Sequence, residues 1–116
     1  MKKTLALLKQ SLLTCCICIC IFSCSMPEEK MKEPAKMYTV VIEQMKFTPA
    51  DLTVKPGDTV TWVNRDIVEH NITEETNTDW SSSGLPVGKK WSLVVRESAN
   101  YFCSIHPVMK GSLHVK

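Results

Sequence analysis

The chain has 116 residues, 44% of them hydrophobic and 22% charged, with a formal net charge of +2. That length favours one small domain. So weak a positive balance, with no basic patch or stripe, excludes an ordinary nucleic-acid-binding protein.

Residues 1–23 read as an export signal. Lys2 and Lys3 lead into an apolar stretch from about Leu12 to Phe22, and the small residue Ser23 precedes a boundary. The stretch falls short of the roughly 20 apolar residues that a membrane-spanning helix needs. Ile21-Phe22-Ser23-Cys24 resembles the bacterial lipobox, in which a small residue precedes a lipid-bearing cysteine, although Phe22 stands where that pattern usually has a smaller residue. The resemblance implies lipidation at Cys24 and an exported protein, periplasmic or at the cell surface, anchored to a bacterial membrane. Simple cleavage nearby and an uncleaved anchor are the other readings. Cys15, Cys16, Cys18 and Cys20 all lie in the signal, so a disulfide framework is not implied. If Cys24 carries lipid, Cys103 is the one thiol left, open to oxidation unless a metal occupies it. Loss of Lys2, Lys3 and Lys9 with the signal leaves 11 basic against 12 acidic residues, a mature charge of 11 − 12 = −1.

Residues 24–36, beginning at Cys24 and continuing "SMPEEKMKEPAK", read as a polar linker. The domain then runs over 37–116. "MYTVVIEQM" and "DLTV" are rich in branched residues, and "KPGD" places Pro56 and Gly57 in turn order. "TVTWVNR" sets Val60 and Trp62 against Thr59, Thr61 and Val63, the period-two pattern of a strand with one buried face. "HNIT" begins a further strand, residues 74–90 are mostly loop, and "WSLVV", "NYFC" and "SLHVK" complete the set. No amphipathic helix and no repeat is evident. Seven to eight short strands with frequent turns predict an all-β antiparallel sandwich. Eighty residues make a marginal core, and a metal that binds only the folded chain would stabilise it.

The chemistry concentrates in "YFCSIHPVMKG". Cys103, His106 and Met109 give a C-x2-H-x2-M spacing. Singly, each has an ordinary reading: a buried small apolar cysteine, a surface histidine, a core methionine. A metal site needs another imidazole at the end of a different strand, and His70 in "DIVEHNIT" supplies one. One thiolate, two imidazoles and a weak axial thioether are the donor set of a blue-copper electron-transfer centre. His114 in "SLHV" reads as a strand residue, since four donors are already present.

On these residues the chain from about Val40 to Val115 resembles the cupredoxins, the plastocyanin and azurin superfamily, and within them the amicyanin-like proteins. That branch has its first ligand in a His-Asn pair after a strand and the same short spacing in the C-terminal loop; "KPGDTVTWVNRD" is similar to the strand leading to the first ligand. The resemblance implies a Greek-key β-sandwich with one type 1 copper ion held by His70, Cys103, His106 and Met109. It implies that Asn64 ties the two ligand loops together through the backbone of Ser104. His106, with Pro107 and Val108, would form the electron port, and Met45 would be a core residue. It also implies a carrier of single electrons between a donor and an acceptor protein, not an enzyme. Glu69 departs from the proline usual before the first histidine, and Ala99 stands where many cupredoxins have an aromatic. Trp80 and Trp91 are distinctive. A copper chaperone or storage module would use similar ligands. A thiol enzyme with Cys103 as nucleophile and His106 as base leaves Met109 without a role and lacks an orienting acid.

Overall fold

The computed structural model describes residues 24–116; the expected signal, 1–23, lies outside the described residues. The chain divides into a unit Met1–Met31 and a unit Lys32–Lys116. Residues 24–31 of the first are exposed and have no regular structure. In the second, the approach to the domain is already held: Glu33 pairs with Lys55, and Lys36 donates its N–H to Asp58 Oδ1 at 2.8 Å.

Eight strands follow: β1 Met37–Glu43, β2 Lys46–Thr48, β3 Asp51–Val54, β4 Thr59–Asn64, β5 Thr73–Glu74, β6 Lys90–Val94, β7 Ala99–Phe102 and β8 Lys110–Val115. There is no helix among the described residues. The strands form two four-stranded sheets, ordered β2-β1-β4-β6 and β3-β8-β7-β5. The apolar stretch "MYTVVIEQM" yields β1 and then a tight turn at Gln44 and Met45, both with positive φ, after which the unpredicted β2 folds back. Met45 is therefore not a core residue: it lies in this turn and is 38% exposed.

The antiparallel expectation needs correction. β1 pairs with β4, and β3 with β8, in parallel, so both sheets are mixed. A tight hairpin forces antiparallel pairing. Here β1 and β4 are separated by β2 and by β3, which belongs to the other sheet, so the chain is free to re-enter beside β1 in the same direction.

Alternation along β4 buries Val60, Trp62 and Asn64 and leaves Thr59, Thr61 and Val63 part-exposed, as a strand with one core face requires. Val40, Ile42, Phe47, Val54, Tyr101 and Leu113 fill the space between the sheets. Trp80, in the loop between β5 and β6, packs against Trp62 and Trp91 of one sheet and Tyr101 of the other. Residues 74–90 are thus mostly loop, but a loop anchored to both layers. It also pairs with the segment after β4: His70 and Leu85 exchange backbone hydrogen bonds, and Ser82 bonds Ile72 through both its N–H and its hydroxyl.

Candidate metal centre

The spacing of the C-terminal loop has a backbone cause. His106 N–H donates to Cys103 O at 3.2 Å, and Met109 N–H donates to His106 O at 3.0 Å. Each three-residue step is therefore one hydrogen-bonded turn. Cys103 N–H donates to Met109 O at 3.1 Å, which closes the loop on itself. Shortening or lengthening either interval would break one of these turns.

This loop meets the segment that follows β4. The ligating atoms of His70, Cys103 and His106 all lie within 4.8 Å of one another. His70 Nδ1 and His106 Nδ1 are each 3.8 Å from Cys103 Sγ. Bonds of about 2.0 Å to imidazole and about 2.3 Å to thiolate, meeting in a trigonal plane, set nitrogen and sulfur about 3.7 Å apart. The two nitrogen–sulfur separations match a metal of that size. His70 and Cys103 are fully buried and Met109 is 2% exposed, while His106 is half-buried with Pro107 exposed beside it and Val108 at 85%.

Two residues around the ligands escaped the sequence reading. Asp66 lies four residues before His70, and its Oδ2 accepts from His70 Nε2 at 2.8 Å. The same oxygen accepts from Met45 N–H at 3.0 Å, and Oδ1 accepts from Ile67 N–H at 2.8 Å. The Met45 and His70 bonds, followed by Ile67, hold the Asp66 carboxyl down to about 2. An ionised acceptor on Nε2 places the imidazole proton there and leaves the Nδ1 lone pair facing the sulfur, the orientation a metal ligand needs.

The second is Asn71, and it corrects the role expected of Asn64. Asn64 is buried, but its Nδ2 donates to Val68 O and Leu85 O, both at 2.9 Å, and its Oδ1 accepts from Asp66 N–H. Its side chain is spent within its own loop and the neighbouring segment, and does not reach Ser104. Asn71 makes the tie instead. Its Oδ1 accepts from Ser104 N–H at 2.7 Å, its Nδ2 donates to Ser104 Oγ at 2.6 Å, and its backbone N–H points at Cys103 Sγ at 3.4 Å. The His-Asn pair carried the signal, because a residue adjacent to a ligand projects to the other side of an extended chain. His114 lies exposed on β8, away from the cluster. Glu69 folds its carboxylate over Gly84, where a Cβ would meet Oε1 at 2.7 Å.

The family model for copper binding proteins of the plastocyanin/azurin family matches residues 35–116. The chain belongs to this family. Amicyanin of Paracoccus versutus is 30% identical over 89 residues, 72% of this chain and 67% of that protein. Amicyanin of Paracoccus denitrificans is 37% identical over 84 residues, 66% of this chain and 63% of that one. The chain thus spans about two thirds of the length of both. A purple cupredoxin from Nitrosopumilus maritimus superposes with a TM-score of 0.62 at 28% identity, covering 68% of this chain and 99% of the other. The cofactor of this cupredoxin is copper, and the soft thiolate and thioether beside two imidazoles suit that metal by donor chemistry as well.

Proposed function

We propose that this cupredoxin is a single-electron carrier whose type 1 copper is held by His70, Cys103, His106 and Met109, and that it is not an enzyme. The observation that carries the reading is the convergence of three ligating atoms within 4.8 Å of one another. Ligands held by buried hydrogen-bonded loops would change little between Cu(I) and Cu(II), and small reorganisation favours fast transfer. Burial of His70, Cys103 and Met109 favours a resident metal over the ready exchange a chaperone or storage module requires. When bound, copper supplies the one-electron couple. His106 is the ligand nearest solvent, and with Pro107 and the exposed Val108 it forms the port to a donor and an acceptor protein.

Copper-loaded protein should show an intense visible charge-transfer band and a reversible potential. Cys103→Ala should abolish the band, because the thiolate is its source. A colourless Cu(I) protein that gives up its metal to a weak chelator would support the chaperone reading and overturn this one.

The carrier is exported and held at a membrane through lipid on Cys24, which is exposed ahead of the polar linker. Metabolic labelling with a fatty acid should mark the wild type and spare Cys24→Ala. Equal labelling of the two, or no labelling of the wild type, would rule out the anchor.

A further inference from the structure

Four aromatic rings lie close together from the flank of the sandwich to Tyr101, two residues before Cys103. Trp91 and Trp62, cross-strand partners on β6 and β4, have centroids 5.5 Å apart. Trp80 lies 6.1 Å from Trp91 and 6.4 Å from Trp62. Tyr101 stands edge-on to Trp62 at 5.4 Å and lies 6.3 Å from Trp80. Tyr101 and Cys103 are both fully buried and two residues apart, a step of about 7 Å along an extended chain. The outer two rings, Trp80 and Trp91, are half-buried; Trp62 and Tyr101 are wholly inside.

The inner pair has a second peculiarity. Trp62 Nε1 and Tyr101 Oη are buried without a hydrogen-bond partner. Their burial has a chemical consequence. An oxidised indole or phenol becomes a stable neutral radical only by giving up its proton. Trp62 and Tyr101 are both fully buried, away from the solvent that would take the proton. A hole at either ring stays strongly oxidising and moves on. At Trp80 and Trp91 water can accept the proton.

We propose that Trp80, Trp91, Trp62 and Tyr101 form a relay that conducts oxidising equivalents from the flank of the protein to the reduced metal centre at Cys103, sparing the side chains. This rests on the reading of that centre as a one-electron copper site. The co-reactant is a strong one-electron oxidant, such as an inorganic radical. It takes one electron from Trp80 or Trp91 and is reduced, and the indole proton goes to water. With copper bound, the array would pass one electron outward from the reduced site to the indolyl radical, which recovers a proton from water. The oxidant ends reduced, Cu(I) ends as Cu(II), and the rings end unchanged. The path leaves from a flank of the sandwich, separate from the His106 port.

Pulse-generated azidyl radical tests this on the Cu(I)-loaded protein. Indolyl absorbance should decay in a first-order phase, independent of protein concentration, that matches the rise of the blue Cu(II) band. Trp62→Phe should slow that phase severalfold, and Trp80→Phe/Trp91→Phe together should remove it. Tryptic mapping by mass spectrometry should find oxidised Trp80 and Trp91 accumulating in Trp62→Phe and in metal-free protein, but not in Cu(I) wild type. An unchanged rate in Trp62→Phe, survival of the phase in the double variant, or copper oxidation uncoupled from indolyl decay overturns the relay. Should Trp62→Phe fail to fold, the double variant decides. A Cu(II)-loaded sample that shows no blue band before it is reduced for the experiment would refute the copper reading itself; a normal band in that sample with no coupled phase after the pulse refutes the relay alone.

Discussion

Asn71 joins the segment carrying His70 to the loop carrying the other three expected ligands, and it does so with two side-chain bonds to Ser104. Removing the side chain leaves the Ser104 N–H without an acceptor at a part-buried position. We expect Asn71→Ala to cost about 1–3 kcal/mol, the penalty of an unmet donor. Urea unfolding of the metal-free protein measures it, and an unshifted midpoint would mean that the two loops are held together by other contacts. The ligand pattern itself was legible in the sequence because it is local: Cys103, His106 and Met109 are one turn apart each. The partner of Ser104 was missed although Asn71 adjoins His70, because Asn64 and Asn71 are both buried asparagines near that histidine and only the folded chain shows which of them reaches the other loop.

At the level of strands, β7 and β8 show why two glycines that look alike behave differently. Tyr101 is the register partner of Gly111, and its ring lies across the glycine: a Cβ there would stand 2.3 Å from Cζ and 2.4 Å from the phenolic oxygen. The ring is fully buried and locked among Phe47, Trp62 and Trp80, so it cannot withdraw. Gly111→Ala should therefore destabilise by about 1–3 kcal/mol, as overpacking does. Gly84→Ala meets only the end of the Glu69 side chain, which can swing aside, and should change the melting temperature little. Equal losses in the two variants would refute this difference. Strand texture predicted most of the elements, since alternation on β4 is a local pattern. It did not predict β2, a three-residue strand that exists because the Gln44–Met45 turn folds it onto β1.

Across the whole domain, three buried carboxylates are held by backbone donors. Asp58 accepts from Lys36 and Lys55 N–H, Asp66 from Met45 and Ile67 N–H as well as His70, and Glu74 from Asn77 and Thr76 N–H. These bonds hold all three below the usual carboxylate range, Asp66 at about 2. A depressed carboxyl stabilises the fold above its unfolded pKa, and the gain is lost as pH falls through the folded value. The metal-free protein should keep a level urea midpoint from neutral pH down to about 5 and lose stability between there and about 2. A midpoint that rose on acidification would contradict this. None of the three was singled out in the sequence, because an acid that caps distant backbone looks like any surface acid until the chain is folded. By itself the sequence determined the strand-rich domain and the spacing of Cys103, His106 and Met109, since each is written in neighbouring residues with a fixed period. Only the tertiary structure decided the parallel pairing of β1 with β4 and of β3 with β8, the choice of Asn71 over Asn64, and the contact of three tryptophans with Tyr101. Those depend on which segments the crossing chain brings side by side, and residues far apart in sequence carry no local record of that meeting.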